Sequence, residues 1–161
     1  MKTLLIPTDF NPESLNCIPD LVQRYFPEKV EVILVHMMKI TDNIGELLML
    51  SRRSSEYRYI SEGFYKACAK LKQQHANNIG NIRIEFFYGS TVAVFKNFLE
   101  ANAVDAIVML EDYDYRMLNK NSTEPALLAN RSGYELIYAS CNESAAATAT
   151  TPQENLVEDI A

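Results

Sequence analysis

The segment that most constrains the fold lies at the very start of the chain. It begins with Lys2, continues through the apolar run Leu4-Leu5-Ile6 and ends at Thr8, Asp9 and Phe10. A short apolar run bounded by polar residues is typical of a strand that is covered on both faces, and such a strand at the N-terminus usually lies centrally in an open α/β sheet. Asp9 would then lie at the carboxyl end of this strand, where open α/β sheets place their ligand crevices.

Composition limits the kind of partner and the compartment. The 161 residues suit one domain, and a net charge of −6 with a pI near 5.0 argues against nucleic acid or an anionic membrane as partner. Cys17, Cys68 and Cys141 form no C-x-x-C pair, which predicts structural thiols in a reducing compartment. No apolar run approaches the roughly 20 residues of a membrane span, so we expect a cytoplasmic protein without nucleic-acid or membrane partners.

Four further apolar segments predict strands. The second and fourth are nearly continuous in apolar character, whereas the third alternates apolar and polar residues as a half-exposed edge strand does. Together with the first, the predicted strands cover residues 2–8, 30–37, 82–88, 106–110 and 135–139.

Helical periodicity fills the intervals between these strands. Asn11 and Pro12 favour a helix start, although Pro19 would either kink this helix or move its start to Asn16. Ser122 is expected to cap a short helix that Gly133 closes. The predicted helices cover residues 11–26, 55–75, 92–99 and 122–130, and a turn at 41–43 and a short helix at 44–50 are also expected.

The alternation of strands and helices predicts the fold class and the domain boundary. Five strands separated by helices imply an α/β protein with a single parallel open sheet, right-handed crossovers and helices on both faces. This domain covers residues 1–140. Residues 141–161 are rich in Ser, Ala, Thr, Glu and Gln and are predicted to be a disordered tail, with residues 156–160 as its one apolar stretch.

Four pieces of this pattern, in their order along residues 1–140, resemble the universal stress protein family. They are Ile6-Pro7-Thr8-Asp9-Phe10, Ile33-Leu34-Val35-His36-Met37, the Tyr88-Gly89 turn and Asp105-Ala106-Ile107-Val108-Met109. The resemblance implies an adenine-nucleotide α-hydrolase-like, Rossmann-like domain with strand order 3-2-1-4-5. It also implies a homodimer paired through the last strand, here Leu136, Ile137 and Tyr138, although Glu135 departs from the apolar strand expected there.

The resemblance also indicates where a nucleotide would bind. Family members that bind ATP carry a G-x-x-G-x9-G-[S/T] loop after the fourth strand, and in this chain Leu110 and Tyr113 stand at the first two glycines. Only Ser122, at the end of the motif, is retained. Acidic side chains at 111, 112 and 114 fall where phosphates would approach, and one like-charge pair about 4 Å apart costs roughly 4 kcal/mol at an effective dielectric constant of 20.

Four residues are therefore candidates for contacting a nucleotide, if one binds. The resemblance gives Asp9 a hydrogen bond to adenine or ribose, but a carboxylate at a strand end also caps local amides. Met37 and Met109 would line the adenine side of the crevice or belong to the core. Ser122 would contact phosphate or cap a helix.

The remaining polar residues point to no catalytic or metal centre. His36 and His75 have no third ligand at a metal-like spacing, and residues 111–122 lack the Gly and Glu that an EF-hand loop requires. Catalytic motifs such as a nucleophile elbow or a P-loop are missing. We expect no enzyme activity and no cofactor.

Two functions from different classes remain. The first is a dimeric regulatory or interaction module, stress-protein-like and without ATP. The alternative is a sensor that binds AMP or another adenosine-containing ligand at Asp9. Tyr113 and Tyr115 discriminate between them, because rings folded inward would fill the crevice, whereas rings turned outward could stack on a nucleoside.

Overall fold

The computed structural model describes residues 1–39 and 57–141 and contains one five-stranded parallel sheet. The strands are β1 (Lys2–Pro7), β2 (Val30–Met38), β3 (Ile79–Tyr88), β4 (Ala106–Glu111) and β5 (Glu135–Ser140). Their order in the sheet is β3-β2-β1-β4-β5, so the N-terminal strand is central, as predicted, and β3 is at an edge.

Both faces of the sheet are covered because successive residues of its central strands point to opposite sides. Leu4 and Ile6 of β1 belong to one buried cluster, with Phe64. Leu5 belongs to the other, with Phe95. Each of these two phenylalanine side chains is fully buried and contributes about 1.5–3 kcal/mol through the hydrophobic effect.

The helices lie in two layers that follow from these clusters. Helices α1 (Ile18–Tyr25) and α2 (Glu62–Gln74) pack on the first cluster, and α3 (Val92–Ala101) and α4 (Pro125–Ala129) pack on the second. Ser61 and Thr91 cap α2 and α3 by accepting from the N–H groups of Phe64 and Val94.

The first helical region differs from the single helix predicted over residues 11–26. A 3₁₀ turn occupies Pro12–Leu15 with Asn11 as its cap, and α1 starts afresh at Ile18. Pro19 thus lies at the start of α1, where its missing N–H would have no helical partner. The helix thus starts later, as in the predicted alternative, but at Ile18 and not at Asn16.

Two other helices are shorter than predicted. Helix α2 begins at Glu62, not near residue 55, because Ser61 has extended backbone and caps it. Helix α4 begins at Pro125, so the prediction of Ser122 as its cap is wrong. Gly133 lies in the turn that follows α4, where its φ of +80° suits a residue without Cβ.

Some predictions lie outside the described residues. These are the turn at 41–43, the short helix at 44–50 and the tail from residue 142, including residues 156–160. Cys141, placed in the predicted tail, is buried against the domain. In the parts of the chain that the structure describes, no helix is both long and apolar enough to cross a membrane.

Candidate functional site

Asp9 follows β1 at the carboxyl edge of the sheet and is buried, with no exposed side-chain surface. Its Oδ1 accepts from the Tyr113 hydroxyl at 2.5 Å and from the Asn11 N–H at 3.2 Å. Its Oδ2 accepts from the Arg116 N–H at 3.0 Å, with the Arg116 Nε at 3.7 Å. The carboxylate is therefore satisfied by groups of the protein itself, as a buried charge requires.

The segment between β4 and α4, residues 112–124, supplies most of these contacts, and we call it the tyrosine loop. Tyr115 lies in the same loop, and its hydroxyl donates to the Thr8 carbonyl at 3.0 Å. Its ring stacks on His36 with centroids 5.7 Å apart and an interplanar angle of 9°. Tyr113 and Tyr115 thus direct their hydroxyl groups to the end of β1. Of the two arrangements considered from the sequence, inward or outward, the rings adopt the inward one.

Burial and the nearby carboxylate keep these tyrosines protonated. Desolvation is the larger cause that raises the pKa of Tyr113, and its hydrogen bond to Asp9 raises it further. Desolvation also raises the pKa of Tyr115, followed by the charge of Asp9. Both hydroxyl groups therefore remain hydrogen-bond donors at neutral pH.

His36 connects the tyrosine loop to β1 and β2. It is fully buried, and its Nδ1 lies 2.7 Å from the Thr8 carbonyl and 2.8 Å from the Tyr115 hydroxyl. Since a carbonyl only accepts, Nδ1 carries the proton and Nε2 accepts from the Ser122 hydroxyl, 2.8 Å away. Burial lowers the pKa of His36, so the neutral imidazole that this network needs is the stable form.

Ser122 gathers three bonds that close the end of the tyrosine loop. While it donates to His36, its Oγ accepts from the N–H groups of Leu118 at 3.0 Å and Asn119 at 3.4 Å. Two backbone hydrogen bonds also join the loop to the end of β2. The Lys39 N–H donates to the Asn121 carbonyl at 2.8 Å, and the Thr123 N–H donates to the Met37 carbonyl at 2.9 Å. The loop is consequently fastened to the sheet edge along much of its length.

The turn after Asp9 has an uncommon backbone conformation. Phe10 has a φ of +65°, in the left-handed region that residues with a Cβ rarely adopt. Its ring is buried among His36, Phe64 and Phe86, with centroid separations of 5.4–5.6 Å. This aromatic packing holds the turn in place beside the site.

The two methionine candidates have different environments. Met37 is 1% exposed and belongs to the buried cluster under α3 and α4, so its side chain is core. Met109 is half-buried and lines a cavity of about 340 Å³ at the carboxyl edge of the sheet. The cavity lies between the end of β1, the end of β4, the tyrosine loop and the start of α4, and its lining comprises Pro7, Met109, Leu110, Tyr113, Asp114, Tyr115, Glu124 and Pro125.

The charge of this cavity does not suit a phosphate. Asp114 and Glu124 are its charged lining residues, and none of the residues that line it is cationic. Tyr113 occupies the position of a motif glycine in the resemblance, and its side chain contacts Asp9 instead of leaving room for a phosphate to approach the backbone. A nucleotide would have to displace Tyr113 from Asp9 and tolerate two carboxylates.

The sequence candidates therefore separate into three kinds. Asp9 and Ser122 are joined through the tyrosine loop, Met37 is core, and Met109 faces the cavity. His36, at the centre of the network, was not among the residues predicted from the sequence, although its place in an otherwise apolar strand was an available signal. Within residues 1–39 and 57–141, no group of His, Cys, Asp or Glu side chains is arranged to hold a metal ion.

The sheet order and the two helical layers define a Rossmann-like α/β fold with its crevice at the ends of β1 and β4. Solved structures of universal stress proteins share this fold. Universal stress protein UspA from Lactobacillus plantarum superposes with a TM-score of 0.53 at 11% identity, covering 86% of this chain and 97% of that protein.

Two proteins described as hypothetical have similar structures. Protein MJ0577 gives a TM-score of 0.55 at 14% identity, and protein PH0823 gives 0.51 at 17% identity. Each comparison covers 86% of this chain and 95% of the other. No protein-family model matches the sequence, and the comparison with curated proteins also finds no match. These likenesses establish the fold.

Proposed function

We propose that this chain is a universal stress protein-like regulatory or interaction module that is cytoplasmic, non-catalytic and dimeric and does not bind ATP. The observation that carries the proposal is the bond between the Tyr113 hydroxyl and Asp9, at 2.5 Å. The carboxylate that would hold adenine or ribose is already occupied by the protein. The absence of the glycine motif and the acidic lining of the cavity also disfavour the binding of ATP.

The alternative sensor function requires Asp9 to exchange its internal partners for an adenosine moiety. That exchange would break the hydrogen bonds from Tyr113 and Arg116 to a buried carboxylate, and such charge-assisted bonds contribute about 1.5–3 kcal/mol each. A ligand without a triphosphate would avoid most of the repulsion from Asp114 and Glu124. AMP or another adenosine derivative is therefore the ligand with which the sensor function is tested.

Calorimetric titration with ATP, AMP and adenosine, each with Mg²⁺, tests the proposal. We expect no binding heat for any of them up to millimolar concentration. Asp9→Asn is the matched variant, because its amide oxygen still accepts from Tyr113 while its charge is removed. Binding by the wild type that is lost in Asp9→Asn would establish the sensor function and overturn the interaction module.

The dimer of this proposal would use the exposed edge of the sheet at β5. Tyr138 is 51% exposed and Leu136 is half-buried, whereas the side chain of Ile137 belongs to the core and is not available. Arg24 of α1 donates to the Tyr138 carbonyl at 2.8 Å and is held there by Asp20. Because this carbonyl is occupied, the contact would rely on the Tyr138 and Leu136 side chains.

A further inference from the structure

Two cysteines that are far apart in the sequence meet at one backbone carbonyl. The Sγ of Cys17, at the start of α1, lies 3.7 Å from the Ser14 carbonyl oxygen, and the Sγ of Cys141, just after β5, lies 3.8 Å from the same atom. The backbone is fastened beside them, since Asn16 Nδ2 donates to the Cys141 carbonyl at 3.3 Å. Both thiols are free.

The two thiols also interact with each other. The side-chain interaction between the neighbouring thiols raises the pKa of Cys17 and lowers the pKa of Cys141. Cys141 is the more accessible of the two, at 7% exposed against 0% for Cys17. Of the two cysteines, Cys141 therefore has the greater thiolate character and the greater exposure, and both properties favour its reaction over that of Cys17.

From this geometry we propose that Cys17 and Cys141 are a peroxide-reactive thiol pair that closes into a reversible intramolecular disulfide. The site is separate from the Asp9 carboxylate and does not depend on whether a nucleotide binds. The bond would join the end of β5, where residues 142–161 begin, to the start of α1. A reversible disulfide of this kind is typical of redox-sensing proteins in a reducing compartment.

The chemistry has two balanced steps with a hydroperoxide as oxidant. The Cys141 thiolate attacks one peroxide oxygen, so that an S–O bond forms, the O–O bond breaks and the leaving oxygen departs as water or an alcohol after taking a proton. Cys17 then attacks the Cys141 sulfur, so that the S–S bond forms, the S–O bond breaks, and the leaving hydroxide takes the Cys17 proton to become water. The thiols lose two electrons and the peroxide gains them.

Cys68 provides an internal control. It lies on α2, half-buried, and burial raises its pKa to about 11, so it remains a protonated thiol at neutral pH. Slow reaction with peroxide is the expectation for such a thiol. The Cys68→Ser variant of the full chain removes it without altering the pair.

The first experiment treats Cys68→Ser with hydrogen peroxide under native conditions and measures the intact mass. We expect the mass of the monomer to fall by two hydrogen atoms, a non-reducing peptide map to contain the Cys17–Cys141 cross-link, and dithiothreitol to restore both thiols. The melting temperature of the oxidised chain should rise by several degrees, because the disulfide closes a long loop. Two thiols that stay alkylatable in denaturant, or a gain of oxygen without a cross-link, would overturn the proposal.

A second variant separates the roles of the two sulfurs. In Cys17→Ser, Cys141 has no partner, so its sulfenic acid should accumulate and be captured by dimedone. Capture at Cys68 in preference to Cys141 would contradict the assignment of the reactive thiol. If this variant does not fold, the experiment on Cys68→Ser decides the proposal alone.

Discussion

At the scale of single residues, the buried carboxylate of Asp9 is part of the protein's own hydrogen-bond network. A buried carboxylate needs partners, and in this chain Tyr113, Arg116 and Asn11 provide them. The hydrogen bonds of Asp9 therefore contribute to stability, and their loss is measurable.

Tyr113→Phe should destabilise the fold by about 1–3 kcal/mol, since it removes a donor from a buried charge. The free energy of unfolding from urea denaturation measures this. Tyr65→Phe is the matched control, because Tyr65 is 44% exposed, and its effect should stay within about 0.5 kcal/mol. Equal effects of both substitutions would contradict the role given to the Tyr113 hydroxyl.

His36 should make the fold sensitive to mild acid. Burial lowers its pKa in the folded state, whereas the unfolded chain retains the ordinary value of about 6.5. Below about pH 6.5 the unfolded state therefore binds a proton that the folded state excludes, and the free energy of unfolding should fall by up to about 1.4 kcal/mol per pH unit until the folded pKa is reached.

Urea denaturation of the wild type at several pH values between about 7 and 5 measures this slope. Nuclear magnetic resonance of the His36 imidazole provides an independent measurement in the folded state. The His36→Gln variant should lose this component of the pH dependence. An imidazole that titrates at or above its ordinary pKa would refute the prediction.

At the scale of elements, the tyrosine loop is a long connection made rigid by a few anchors. Its two ends join β4 and α4, and its middle is fastened to β1 and β2 through Asp9, His36 and Ser122. Three hydrogen bonds converge on the Ser122 hydroxyl. Removing its hydroxyl should therefore loosen the loop more than it affects the rest of the sheet.

Ser122→Ala should increase the rate of tryptic cleavage after Arg116 about tenfold, because a loss of roughly 1.4 kcal/mol of local stability raises the open population by that factor. Limited proteolysis with mass spectrometry measures it. Ser61→Ala is the control, since it removes the cap of α2 and costs about 1 kcal/mol without touching the loop. Similar acceleration in both variants would show that the loop opens only by global unfolding.

At the scale of the whole molecule, the sheet has two edges, and they differ. β3 carries Arg83, which pairs with Glu31 at 2.6 Å and Glu85 at 3.8 Å, so this edge is charged. β5 presents Tyr138 instead. Charged edges resist association, whereas an exposed aromatic side chain on an edge strand favours it.

The proposed dimer predicts that Tyr138→Arg converts the protein to a monomer at micromolar concentration, with sedimentation velocity as the measurement. Val94→Arg is a suitable control because Val94 is also exposed, at 42%, but lies on α3. The control should remain dimeric. A wild type that sediments as a monomer at every concentration would reject the dimer.

The sequence by itself determined the sheet and its class. The pattern of apolar and polar residues along a strand reflects which of its faces are buried, and this pattern can be recognised in the sequence of the strand alone. The five strands and the edge position of β3 were therefore predicted correctly. The resemblance added the strand order, which the structure confirms. Helix boundaries were less accurate, because caps such as Ser61 and breaks such as the one before Ile18 depend on local backbone geometry.

Only the tertiary structure determined which groups bind the polar side chains of the site. Asp9 accepts hydrogen bonds from Tyr113 and Arg116, and His36 accepts one from Ser122, and each of these donors is remote in sequence from its acceptor. The meeting of Cys17 and Cys141 likewise requires β5 and α1 to be in place. Local sequence fixes which residues are buried, but contacts between remote polar side chains follow from chain topology, and periodicity carries no information about them.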